Sequence, residues 1–131
     1  MGDVVKVRRV LQRLDFLRRC VNVWRETEKD FRSIATRCDE SDAARCLAAA
    51  QDRADSIEHA LTLIRIADRS LACLSADVRQ IVETHYIKGI PWDSVADSFG
   101  IPVEKAQRIG YTSLQQLAPL LIPSGAPTAR E

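Results

Sequence analysis

The chain has 131 residues, 46% of them apolar and 28% charged, and a net charge of +1. That length suits one compact domain or a small domain with a helical extension, and the composition excludes a disordered chain. Near-neutrality excludes a broadly basic nucleic-acid coat but leaves room for a local basic face. Aromatic residues make up only 5%, and Gly and Pro number five each, so an all-α protein is expected rather than a strand-rich one.

Residues 3–37 contain no Gly or Pro. Their apolar positions recur at three-four spacing: Val7, Val10, Leu14, Leu17, Val21, Trp24, Phe31, Ala35 and Cys38, with Glu28 interrupting. This predicts a coiled-coil-like seam along a helix of roughly 50 Å, at about 1.5 Å per residue. The stretch also carries ten Lys and Arg against five acids, most of the basic charge of the chain.

A break is expected at Cys38-Asp39-Glu40-Ser41-Asp42, with Ser41 or Asp42 capping the next helix. A second seam follows through Ala43, Leu47, Ala50, Ala54, Ile57, Leu61, Ile64 and Leu71, with Asp68 interrupting. A short connection makes neighbours of successive helices, so the two seams predict a long antiparallel helical hairpin over residues 1–73. Asp68 then falls level with Arg9 and Arg13 of the first helix. It either pairs with one of them and sets the register, or sits at the seam edge. Leu11, Phe16, Val23, Ile34, Leu63 and Ile66 lie off the strict seams. They require either the C-terminal residues or a second copy to cover them. The expected oligomerisation or partner surface is Leu14, Leu17, Val21, Trp24, Phe31, Leu61 and Ile64, and a homodimer or higher oligomer is expected.

The cysteines, Cys20, Cys38, Cys46 and Cys73, are not spaced as metal-ligand pairs, and His59 and His85 do not cluster with them in sequence. They read as reduced, small apolar side chains. No metal site and no cofactor are expected. There is no nucleophile, paired carboxylate or glycine-rich loop near either histidine, so no catalytic residue is expected and the chain does not read as an enzyme. The charged N-terminus does not read as a signal peptide, and no apolar run matches a membrane span. A cytoplasmic protein with no membrane partner is the expectation.

Residues 74–121 predict three shorter helices. Ser75 caps the first, Ala76 to Lys88, whose apolar face is Val78, Ile81, Val82 and His85/Tyr86. Gly89 stands where a left-handed C-cap belongs. Pro91 leads into a helix from Trp92 to Phe99. Gly100-Ile101-Pro102 then makes a corner into a last helix over 102–117. One face of that helix is Ala106, Ile109, Ser113, Leu114 and Leu117. The other carries Val103, Glu104, Lys105, Gln107, Arg108, Tyr111, Thr112 and Gln115. A short helix, a glycine corner and a helix with a long-armed polar face form the helix-turn-helix arrangement that places a helix in the major groove. Arg suits guanine, Gln suits adenine, and Lys and Thr suit phosphates. The Pro/Gly-rich tail, 122–131, is expected to be loose.

Leu74, Arg79, Ile81-Val82, Tyr86, Gly89, Val95-Ala96, Phe99-Gly100-Ile101, Glu104, Ala106, Ile109, Ser113-Leu114 and Leu117 resemble region four of bacterial sigma factors. The Tyr-x-x-Gly-x-x-Trp form (Tyr86, Gly89, Trp92) behind long N-terminal helices is similar to small phage late-gene regulators of the RinA and ArpU type. The resemblance implies a helix-turn-helix transcription regulator of phage or prophage origin acting on double-stranded DNA. It implies reading positions at Val103, Glu104, Gln107 and Arg108, with Lys105 near the backbone. Val103 and Gln107 replace arginines usual in sigma factors, so the −35 element is not implied as the target. Lys88 is the remaining basic residue near the expected groove. Two alternatives stand beside this reading. One is an interaction module that binds RNA polymerase, a sigma factor or a repressor. The other is a phage DNA-packaging subunit.

Overall fold

The computed structural model describes residues 2–121, all of whose regular elements are helices. In chain order these are α1 (Gly2–Ala35), α2 (Glu40–Leu71), α3 (Ala76–Val82), α4 (Trp92–Phe99) and α5 (Val103–Leu121). A π-helical segment, Glu83–Ile87, continues α3. The expected loose tail, 122–131, lies outside the described residues. No described helix is long and apolar enough to cross a membrane.

α1 ends by tightening: the Thr36 and Arg37 amides donate to Ser33 and Ile34 carbonyls, three residues back. The cap of α2 is Asp39, not Ser41 or Asp42. Its Oδ1 accepts from the Asp42 amide at 2.9 Å, and its carbonyl accepts from Ala43 at 2.8 Å. The helix therefore starts two or three residues earlier than expected, and Ser41 and Asp42 lie inside its first turn. Ser75 does occupy the cap position of α3, but its hydroxyl makes no capping bond.

The chain divides into two compact units, Phe16–Ile64 and the described residues on either side of it. Each boundary falls inside a long helix.

Phe16–Ile64 has a thin core: Val21, Ala35, Ala50, Ile57, Ala60 and Ile64. A groove of about 340 Å³ is lined by Leu17 and Trp24 of α1 and by Ser56, His59, Ala60 and Leu63 of α2, among others. The two helices are therefore neighbours in this unit. The predicted second seam holds at Ala50, Ile57 and Ile64, which are buried, and departs from prediction at two positions. Ala60 is buried where Leu61 was expected, and Leu47 is exposed. Small alanines take the closest approach, and larger neighbours are displaced to the edges. The same shift holds in the other unit, where Ala67 is fully buried and Asp68 only half-buried.

That other unit holds the better core. Val7, Leu11 and Leu14 of α1 and Ala67, Ser70 and Leu71 of α2 are buried in it together with residues of α3, α4 and α5. α5 packs against both α3 and α4. Leu11, off the seam in sequence, is thus covered by this unit. Val7, Leu11 and Leu14 recur at three-four spacing, so one stripe of the first turns of α1 faces inward.

Cys20, Cys38 and Cys46 are half-buried free thiols, whereas Cys73 is exposed and donates weakly to the Arg69 carbonyl. Cys73 is therefore not a core residue.

Candidate nucleic-acid interface

Two glycine corners aim α5. Gly89 (φ 77°) and Gly100 (φ 64°) adopt left-handed backbone, which a side chain would strain. At Gly100 the Ile101 amide donates to Ala96 and the Gly100 amide to Asp97, the paired bonds of a Schellman ending. Pro102 then accepts the first bond of α5, from Ala106 at 3.1 Å. The π-helical segment produces a wider turn. Lys88 donates to Glu83, five residues back, and Ile90 reaches Thr84, six back.

That wider turn builds an aromatic clamp absent from the sequence reading. The His85 ring stacks on Trp92 at 3.8 Å, and its Nδ1–H donates to the Ile90 carbonyl at 2.7 Å. Tyr86 meets Trp92 edge-on at 5.8 Å. Gly110 lies beneath this cluster. A Cβ there would come 2.7 Å from Trp92 Cζ2, nearer still to Cη2, and 3.1 Å from the Tyr86 hydroxyl. α5 thus approaches α4 as closely as its backbone allows. The signal in the sequence was a glycine inside a helix, which costs about 1 kcal/mol unless something needs the space. Burial pushes the Tyr86 phenol above its usual range, with Arg8 of α1 pulling the other way.

With its inner face held, α5 presents the expected outer face. Glu104, Lys105, Gln107, Arg108, Tyr111, Thr112 and Gln115 are exposed. Val103 is half-buried at the edge of the face rather than in it. Lys88 is exposed at the end of the π-helical segment. On the inner face Ala106, Gly110, Ser113, Leu114, Leu117 and Ala118 are buried, and the Ser113 hydroxyl is satisfied by the Ile109 carbonyl at 2.7 Å. α5 runs to Leu121, beyond the expected end, with Pro119 inside it. The helix tolerates Pro119 because the Gln115 carbonyl it leaves unbonded is on an exposed residue. A shallow groove of about 210 Å³ lies between Val78 and the Arg108–Ile109–Thr112 side of α5.

Residues 75–121 carry four basic and five acidic side chains. The described residues of the whole unit carry ten and eight, because Lys6, Arg8, Arg9 and Arg13 belong to it. The first turns of α1 therefore turn a slightly acidic group of helices into a slightly basic unit.

The proposed oligomerisation residues are divided. Leu14, Val21 and Ile64 are buried within the chain, and Leu17, Trp24, Phe31 and Leu61 are half-buried. The apolar side chains open to a second copy are others, chiefly Phe16, Val23, Ile34, Leu63 and Ile66. Of the off-seam residues expected to need the C-terminal residues or a second copy, Leu11 is buried and these five are exposed. Among the described residues no group of three or more His, Cys, Asp and Glu is gathered as metal ligands would be.

No protein family, no curated protein and no solved structure matches the chain.

Proposed function

We propose that the protein is a sequence-specific, DNA-binding transcription regulator of phage or prophage origin. It lays the exposed face of α5 in the major groove. α1 and α2, as an antiparallel hairpin, form an arm that joins copies or engages RNA polymerase. The observation that carries this reading is the exposed polar face of α5, with Arg108 at its centre, on a helix clamped from behind by Trp92 and Tyr86. A helix can read bases only if its own orientation is fixed and its long polar arms are free.

The test is selection of bound sequences from a random duplex library, followed by fluorescence anisotropy on the selected duplex at fixed salt. Arg108→Ala and Gln107→Ala should each weaken specific binding by about 1–3 kcal/mol. Lys88→Ala and Lys105→Ala should weaken all duplexes alike and flatten the salt dependence. No enrichment from the library, or unchanged affinity in Arg108→Ala, refutes the reading.

The charge balance favours one second reading, a protein-interaction module on the same scaffold. Residues 75–121 carry one more acid than base. Apolar protein contacts persist as salt rises, whereas phosphate contacts fall steeply.

A further inference from the structure

Residues 2–15 are the part of α1 that shares a compact unit with α5. They carry Lys6, Arg8, Arg9 and Arg13 against Asp3 and Asp15, and all four cations are exposed. Three of the four line up. At about 3.6 residues per turn, Lys6, Arg9 and Arg13 fall within an arc of about 60°. That arc lies roughly 130° round the helix from the buried stripe of Val7, Leu11 and Leu14. Both acids fall outside it, and Arg8 lies on the opposite flank.

The charge of this stripe is not spent inside the chain. Lys29, Arg32 and Arg79 are neutralised by Glu26, Glu28 and Glu83 at 2.9–3.3 Å, whereas among the described residues Lys6, Arg9 and Arg13 make no ion pair. The three span about 10 Å of helix axis, at about 1.5 Å per residue. One strand of a duplex presents a phosphate about every 3.4 Å, so about three phosphates in that length. The number and density of charges therefore match. A membrane-binding helix would need several large apolar side chains beside its cations. Here Val7, Leu11 and Leu14 are buried, and Val5 is the one large apolar side chain left exposed on residues 2–15.

We propose that Lys6, Arg9 and Arg13 form a contact stripe for the backbone phosphates of double-stranded DNA. The stripe supplies charge and carries no sequence information, since phosphate contacts hold a duplex without reading it. Residues 75–121 lack that charge, having one more acid than base. Affinity and base reading then reside on different helices of one unit. This inference rests on duplex DNA as the partner in the reading above, and not on recognition of bases by α5.

Fluorescence anisotropy of the full chain with a random duplex and with its selected duplex, between about 50 mM and 200 mM salt, tests it. Lys6→Gln, Arg9→Gln and Arg13→Gln should each make the slope of log K against log salt shallower by about 0.9. The triple variant should lose about 2.7 of that slope, equally on both duplexes. Lys6→Arg, Arg9→Lys and Arg13→Lys together should keep the native slope, because a phosphate contact needs the charge and not one cation in particular. Helical circular dichroism should not change in any of these, because the three side chains are exposed. A triple glutamine variant with the native slope overturns the proposal. So does binding to phosphatidylserine vesicles with none to duplex. If the selected duplex is bound with that unchanged slope, base reading by α5 stands and the stripe falls. If no sequence is selected but random duplex is bound with a slope set by the three cations, the stripe stands and base reading falls. Absence of binding to any duplex ends both.

Discussion

Gly110→Ala sets two effects of opposite sign against each other. Alanine is the better helix former by about 1 kcal/mol, so on an open helix the change stabilises. In α5 the new methyl would sit 2.7 Å from Trp92 Cζ2, about 0.7 Å inside the 3.4 Å where ordinary contact begins, and closer to Cη2. The indole has no easy retreat, being stacked on His85 at 3.8 Å and flanked by Tyr86. Overpacking of this kind costs about 1–3 kcal/mol, so the net effect should be a loss of about 1 kcal/mol. Trp92→Leu deletes the two atoms that clash. In that background Gly110→Ala should gain up to about 1 kcal/mol, a difference of about 2 kcal/mol between backgrounds. Urea unfolding followed by circular dichroism of the four proteins measures it. If Gly110→Ala raises stability equally in the native and Trp92→Leu backgrounds, α5 is not clamped by the indole.

Three further outcomes follow from single contacts. Asp39→Ala removes the only side-chain cap seen at the start of α2 and should cost about 1 kcal/mol by the same unfolding assay, whereas Ser75→Ala, which removes no capping bond, should cost less than about 0.5 kcal/mol. The Tyr86 phenol is held above its ordinary value of 10.0 by burial, so the folded state keeps its proton when the unfolded chain has lost it. Its contribution to stability is therefore whole below pH 10 and lost as pH rises through the higher folded value, and Tyr86→Phe should remove that part of the alkaline decline in a pH series of melts. Ala60→Leu and Ala67→Leu should each destabilise by about 1–3 kcal/mol, against little change for Leu47→Ala; the reverse order would restore the seam expected from sequence.

The sequence was most legible where the backbone itself is constrained. Pro91 and Gly100 bracket α4, and its bounds follow from them. Gly89 stands where a left-handed cap belongs because no other residue type takes that conformation so cheaply, and Gly100 marks a corner. The outer face of α5 was read from spacing alone, since polar arms on a helix have only solvent to enter. Packing was less legible. A three-four count carries the second seam through Leu61 and Asp68, past Ala60 and Ala67. Two helices in close contact select the small residue, which such a count passes over. The π-helical segment was invisible because its wider hydrogen bonding has no residue signature of its own. The aromatic clamp and Gly110 were missed with it, and Val103 was placed in the reading face although its side chain turns partly inward.

The sharing of one unit by the first turns of α1 and the helices from α3 onward has a consequence for biosynthesis. Val7, Leu11 and Leu14 share their unit with α5, whose last residue is synthesised more than a hundred residues later. At about 5–20 residues per second that is an interval of several seconds. The intervening Phe16–Ile64 segment has all its own residues available much sooner. The unit that contains α5 can therefore close only after Phe16–Ile64 has been made.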